Sequence, residues 1–504
     1  MSTAAPPALE QKARELLHKP SQPSPPTPQE WPANLKHTIF SELRKQRGIA
    51  VPLAAMNLTW FMKIAITTVF LGRLGELQLS GGTLGFTFAN VTGFSVLAGL
   101  SGAMEPICGQ AFGAQNYELL RKTLIMATLL LLTVTLPIAC LWINVDRILI
   151  HFGQNREISA VAKTYVMYLL PDLLITSFLC PLKAYLSSQS ITVPIMICSA
   201  LGVALHVPIN ILLSKAKGLQ GVATAVWTTD LIVTLLLAAY VLAAERRQRK
   251  GWEIGGWWEE GLSDWGRLLR LSGPCCLTTC LEWWCYEILV LLTGRLADAK
   301  HAVAVFAVVL NFDYLLYSIM LSLATSVSTR VSNELGANQA RVARESAYVS
   351  LALSVVVGCV GATAMVLARG PWAALYTHDK VVVRGAMKIM HLMAVVELVN
   401  FPLAVCGGIV RGTARPWLGM YASLGGFYLL ALPLGVVLAF KVKLGLAGLL
   451  LGFLAGMTVC AALLIAMFAT IDWVEEARNA QQLACAKAEY GGRDEGGDGD
   501  GGGP

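Results

Sequence analysis

Apolar segments long enough to cross a bilayer recur twelve times along the chain, centred near residues 60, 91, 130, 171, 202, 231, 280, 315, 356, 396, 428 and 457. Nothing else in the sequence constrains the fold as strongly. At about 21 residues each, twelve spans consume roughly 250 residues, half of a 504-residue chain, leaving loops and tails but no separate catalytic domain. Only 14% of the residues are charged and 55% are apolar, with a mean hydropathy of +0.59; an ordinary soluble domain carries roughly 25% charged residues. A soluble enzyme is therefore excluded. The expected fold is an all-α polytopic membrane protein.

The termini are different in character. Residues 1–47 are polar and hold eight of the 21 prolines, a composition that cannot build a core, so they are expected to form a disordered tail. This tail lacks the pattern of a cleavable secretory signal, and the first span is expected to direct the chain to its membrane. Residues 472–504 form the opposite tail, Gly- and Asp-rich from Gly491 onward. With both ends on the cytosolic side, 24 Lys and Arg fall on cytosolic segments and 14 on the others, apart from Lys63 inside the first span. That excess favours cytosolic termini. Twelve cysteines are present, but Cys275, Cys276, Cys280 and Cys285 share one apolar segment with no zinc-like spacing, so neither a metal nor a redox centre is expected. The net charge of +7 belongs to loops flanking the spans, and no basic-aromatic domain for nucleic acid is present.

The two halves repeat. Pro52 and Pro274, Gly72-Arg73-Leu74 and Gly294-Arg295-Leu296, and Pro194 and Pro416 are each separated by 222 residues, and Gly113-Ala114 and Gly336-Ala337 by 223. Six spans per half put both halves on the same side of the membrane, so the repeat is parallel, with its axis along the membrane normal. The expected organisation is an N-lobe at 48–245, an inter-lobe loop at 246–264 and a C-lobe at 265–471, with a substrate cavity near the midplane. Prolines inside several spans, among them Pro52, Pro137, Pro171, Pro208, Pro274, Pro402 and Pro433, favour a transporter over a simple bundle.

Ionisable residues deep in a span are functional candidates, because a charge at the bilayer centre costs about 3 kcal/mol or more. Glu282 lies 12 residues from Arg270 and 13 from Arg295, about 18 Å from either at 1.5 Å per residue, too far to reach water. Glu397 is similarly deep, nine residues from Lys388 and 14 from Arg411. The two are expected to share a cavity in which a proton binds and leaves near neutral pH; a structural pair with buried partners is the alternative. Glu287, eight residues from Arg295, is as compatible with a wet or ion-paired position. Trp283, Trp284 and Tyr286 form aromatic walls for a planar cation or simply pack. Lys63, Asp172 and Asp230 are mid-span in the N-lobe, where a Lys63–Asp172 ion pair is conceivable, and Asn311 and Asp313 lie in the eighth span. His206 and His391 are expected as core histidines. Two stretches after the second and eighth spans match in chemistry: Glu105 to Ala114, with Gly109, Gln110 and Gly113, and Ser332 to Ala337, with Asn333, Glu334 and Gly336. Both are expected to be cytosolic loops acting as structural hinges or gates.

These stretches, together with Cys280-Leu281-Glu282-Trp283-Trp284, Ser328 to Ala337 and Arg411-Gly412-Thr413-Ala414-Arg415-Pro416, resemble the multidrug and toxic compound extrusion (MATE) family, and within it the plant DETOXIFICATION subgroup. The resemblance covers residues 48–475. It implies two six-helix lobes and a secondary antiporter, usually proton-coupled in plants, that exports small organic solutes such as xenobiotics, secondary metabolites or hormone-like compounds. The family's paired glutamates of the seventh span fall on Glu282 and Glu287, and that of the tenth span on Glu397; the aspartate of the first span used by some prokaryotic members is absent. No cofactor is implied beyond the coupling proton, and the partners expected are the solute and the lipid bilayer, with the chain acting as a monomer. An endomembrane (Golgi, late endosome or vacuole) or the plasma membrane is the expected location. The rival readings are an uncoupled flippase for a lipid-like solute and a transport-inactive scaffold or sensor with a partner-binding Pro-rich tail.

Overall fold

The computed structural model describes residues 31–247 and 261–485, which are helical with no strand. Expectations for 1–30, for the centre of the inter-lobe loop and for the Gly- and Asp-rich end lie outside the described residues. By internal contacts the chain forms two units, Met1–Leu43 and Arg44–Pro504; the helix start within the first is described by itself, and the site and its cavities belong to the second.

Twelve helices are long and apolar enough to span a membrane: α1 Lys36–Leu74, α2 Glu76–Gly113, α3 Tyr117–Ile143, α4 Arg156–Ser188, α5 Val193–Lys217, α6 Leu219–Arg246, α7 Ser263–Thr293, α8 Ala299–Gly336, α9 Ala340–Tyr376, α10 Lys380–Gly412, α11 Pro416–Lys441 and α12 Leu446–Ala469. A shorter helix follows, α13 Trp473–Cys485. Large apolar side chains such as Leu136, Leu212, Val360, Leu367 and Leu429 point outward, as a lipid-facing surface requires. Inside, the apolar clusters divide by half. One runs from Cys285 to Leu464, and two others lie within Phe70–Val226 and Met104–Val241. A small separate cluster joins the halves, packing Ala103, Ile107 and Met126 against Leu268, Leu271 and Cys275.

The repeat is visible in the backbone. The left-handed residue after α2 is Gln115 (φ 59°) and that after α8 is Asn338 (φ 58°); Gly218 (φ 57°) links α5 to α6 and Gly445 (φ 59°) links α11 to α12. The chain thus turns identically at matching points of the two halves.

The prolines do not end spans: Pro52, Pro137, Pro171, Pro208, Pro274 and Pro402 all lie inside continuous helices. Irregularity takes another form, as π-helical turns at Asn90–Phe94 in α2 and at Leu424–Ala431 and Val437–Lys441 in α11. Three further expectations are corrected. The first helix begins at Trp31, inside the stretch expected as tail, because beyond Pro32 no proline intervenes before Pro52 and Pro32 itself occupies a first-turn position that tolerates it. The C-terminal tail opens with α13, whose Trp473, Ala477, Ala480 and Ala484 are buried. And the two stretches expected as loops are helical: Met104–Gly113 completes α2, and Ser332–Gly336 completes α8.

Helices α11 and α12 meet through glycines. A Cβ on Gly426 would lie 2.7 Å from the Gly456 carbonyl oxygen, a backbone atom that cannot move aside, whereas one on the adjacent Gly425 meets nothing within 4 Å. Small residues at such crossings let helices pack without a hydrophobic driving force between them. Gly426→Ala should therefore lower the thermal unfolding midpoint in detergent, by an overpacking cost of about 1–3 kcal/mol, while Gly425→Ala leaves it unchanged. Equal midpoints for the two variants would contradict this packing.

Candidate functional site

With twelve spans, the ends of α2 and α8, the start of α7 and helix α13 all share one face, here the terminal face. On it the matched glycine-containing helix ends meet each other. A Cβ on Gly109 would lie 2.6 Å from Ser332 Cβ, one on Gly113 2.9 Å from the Ala337 nitrogen, and one on Gly336 2.7 Å from Gln110 Cα. The end of α2 and the end of α8 thus press backbone to backbone across the two halves, which only glycine permits. Polar bonds fasten the junction. Arg267 of α7 donates to Gln110 Oε1 at 2.7 Å, Thr329 donates to the Ser187 carbonyl at 3.4 Å, and Glu334 pairs with Arg330 on its own helix at 2.7 Å. Helix α13 lies against both halves. Asn116 donates to the Ala484 carbonyl at 2.7 Å, while Glu476 is ion-paired with Arg415; burial pushes the Glu476 carboxyl above its ordinary range against the pull of that arginine.

Behind this junction lies a cavity of about 250 Å³ between the halves. Its walls carry Asn57 of α1, Glu105 of α2, Lys183 of α4, Glu282 and Trp283 of α7, Tyr317 of α8 and Arg411 of α10. A second, smaller cavity of about 60 Å³ within the C-terminal half also meets Glu282, Tyr317 and Arg411, and reaches Asn400. Glu282 therefore stands where the two cavities adjoin. Arg411 bonds Glu105 across the halves at 3.0 Å, and Trp283 donates its indole N–H to the Tyr317 hydroxyl at 2.8 Å. Among the described residues, Glu282 and Lys183 carry no hydrogen bond or ion pair.

Glu397 is fully buried and lines neither cavity. The expectation that it shares a cavity with Glu282 is not met: its neighbour is Asp313 of α8. Glu397 Oε1 and Oε2 and Asp313 Oδ1 make no hydrogen bond of ordinary geometry, and the Asn400 side chain lies beside Glu397. Tyr286 lies among Asp313, Glu397 and Glu282, its ring edge-on to Phe453 at 4.9 Å.

Other candidates sit elsewhere. Glu287 faces neither cavity and neighbours Tyr314. Trp284 is a brace, not a cavity wall: its N–H donates to the Val91 carbonyl at 3.0 Å, inside the π-helical turn of α2. Asn311 bonds the Ala307 carbonyl of its own helix at 2.8 Å. Lys63 pairs with Asp230 at 2.6 Å, not with Asp172, which lies beside the pair. His206 is a satisfied core histidine, within 3.0 Å of Thr67, Thr229 and Asn210, whereas His391 is exposed and bonds the Met387 carbonyl of its own helix. Sequence reading missed Lys183, Arg411 and Glu105 as cavity residues. Each lies past the apolar centre of its helix and counts as a loop charge when spans are drawn about 21 residues long.

A sequence model of the MatE family matches residues 52–212 and 274–437, two segments whose starts are 222 residues apart, the spacing of the repeat. The chain belongs to the MATE family. It is 59% identical to Protein DETOXIFICATION 56 of Arabidopsis thaliana over 90% of this chain and 92% of that one, and 40% identical to Protein DETOXIFICATION 52 of the same plant over 89% and 88%. Its fold superposes on the crystal structure of the eukaryotic MATE transporter AtDTX14 with a TM-score of 0.83 at 29% identity, covering 89% of this chain and all of that one. MATE proteins are membrane transporters, not enzymes. Within this MATE transporter the Lys63–Asp230 pair is buried, with side-chain exposures of 9% and 15%, and removing one partner of a buried pair costs about 3–5 kcal/mol. Lys63→Met should accordingly lower the unfolding midpoint in detergent sharply, and Lys63→Met with Asp230→Leu should recover most of the loss. A single variant as stable as the parent would show that the pair does not hold α1 to α6.

Proposed function

We propose that this MATE transporter exports small organic solutes from the cytosol in exchange for protons, by alternating access, with Glu282 as the proton-binding group that faces the solute. One observation carries the reading: a carboxyl deep in a membrane span lies on the wall of the inter-half cavity with no partner of its own. Such a group is costly unless it binds something. Protonated, it is neutral and a donor; ionised, it accepts a donor from the solute, so proton and solute compete for one oxygen pair. Asp313 and Glu397, two carboxyls side by side beyond the cavity wall, are a reservoir for a second proton in the same half. The family resemblance supports both Glu282 and Glu397, and the printed name of the relatives, DETOXIFICATION, supports a solute that a plant cell removes. The excess of Lys and Arg on the terminal face supports placing that face in the cytosol.

The energetics suffice for concentrative export. One proton falling through 1 pH unit and 100 mV releases about 1.4 plus 2.3 kcal/mol, or about 3.7 kcal/mol, enough to hold a neutral solute at about 500-fold accumulation. Glu282→Gln keeps the shape and loses the titration. In proteoliposomes with an imposed pH gradient it should abolish uphill transport while the protein still elutes as a folded species. Uphill transport at the parent rate would remove Glu282 from the coupling site.

A further inference from the structure

Four charged side chains line the inter-half cavity: Glu105, Lys183, Glu282 and Arg411. Glu105 and Arg411 neutralise each other at 3.0 Å. Lys183 and Glu282 remain, on α4 of one half and α7 of the other, with no ion pair between them and no hydrogen bond to any described residue. The acid that acts electrostatically on Lys183, Asp230, is already held by Lys63 at 2.6 Å. The cavity thus offers an unpaired ammonium on one wall and an unpaired carboxyl on the other.

We infer that the solute is amphoteric: a small organic molecule whose anionic group binds Lys183 and whose ammonium or hydroxyl donor binds Glu282. The inference rests on the reading of Glu282 as the proton-binding group and adds the solute class that this wall selects. A cavity of about 250 Å³ falls just below the range that takes drug-sized ligands, which suits a single ring with two substituents resting on Trp283 and Tyr317. Linkage decides between the classes. A solute with only an anion is held better when Glu282 is protonated, so it would travel with the proton rather than against it. A solute with only a cation meets the Lys183 ammonium. A solute carrying both keeps its anchor on Lys183 and loses its contact to Glu282 when the proton arrives, which is the competition that exchange requires. The titratable groups around Glu282 are Arg411, Tyr317, Tyr286, Cys285 and Cys460, and those around Lys183 are Asp230, Lys63 and Cys180.

The test is equilibrium binding to the full-length protein in lipid nanodiscs, with three membrane-impermeant probes of one shape: para-(aminomethyl)benzenesulfonate, which is zwitterionic, para-toluenesulfonate and benzylammonium. The parent should bind the zwitterion about tenfold or more tighter than either single-charge probe, the increment expected of one charged hydrogen bond. Acidification should weaken the zwitterion and tighten para-toluenesulfonate, and Glu282→Gln should abolish both pH responses. Lys183→Gln should drop the zwitterion to the level of benzylammonium, and Lys183→Arg should retain it. Should Lys183→Gln fail to fold, the parent's order of probes and Lys183→Arg still decide. A parent that binds benzylammonium as tightly as the zwitterion, or none of the three, or a Lys183→Gln variant with unchanged preference, overturns the inference. Uphill transport surviving in Glu282→Gln while the Lys183-dependent preference stands would instead defeat the proton-coupling reading alone.

Discussion

An ionised side chain in a hydrocarbon slab must find a partner or a wet surface, and the interior of this protein is arranged around that cost. Lys63 finds Asp230, Arg411 finds Glu105, Lys122 finds Asp264 at 2.7 Å, and Glu397 lies against Asp313. Of the four charged side chains on the wall of the inter-half cavity, Lys183 and Glu282 are left without an ion pair or hydrogen bond among the described residues. Where structural charge has been neutralised, the remaining charge is available to a ligand. The functional surface is defined as much by what the other pairs have removed as by the residues that line it.

The second constraint is the contact between the halves. The helix ends that close the terminal face approach at backbone distance through Gly109, Gly113 and Gly336, and polar bonds cross between the halves, among them Arg267 to Gln110, Arg411 to Glu105, Lys122 to Asp264, Thr329 to Ser187 and Asn57 to Ser322 at 2.9 Å. By contrast, each half keeps its own extensive apolar core. Under the alternating access proposed above, two halves joined by polar contacts and a small apolar cluster part without either core being exposed. Helix α13, bonded to Asn116 on one side and Arg415 on the other, strengthens the same contact, and the proposed opening of the face requires it to release one of them.

Much of this was legible in the chain. Apolar period and length gave twelve helices in the right places, the 222-residue spacing gave the two-fold organisation, and the distance of Glu282 from the nearest charges placed it deep in α7. What could not be read concerns helix ends and pairings. Glu105, Lys183 and Arg411 sit on helical extensions that are enclosed by protein, where a helix needs no apolar sequence, so a hydropathy window cuts them off. Depth alone made a Lys63–Asp172 pair conceivable, but Asp172 and Asp230 are of similar depth, 109 and 167 residues away, and only the packing of α6 against α4 and α5 gives Lys63 to Asp230. Trp284, one residue from a cavity wall, turns to the Val91 carbonyl because successive residues on a helix point about 100° apart.

In the alternating access proposed for this transporter, the cavity changes its exposure by separation of the two halves at the glycine junction. Spin labels in place of Ala114 and Ala337, which flank that junction on opposite halves, report it directly in a background cleared of reactive cysteines. The pair distance measured in lipid should shift between a short and a long population when a pH gradient and saturating solute are imposed, while label pairs within either half stay constant. A single unchanged distance across the junction, with transport persisting, would contradict the account and place gating within the C-terminal helices around Glu282.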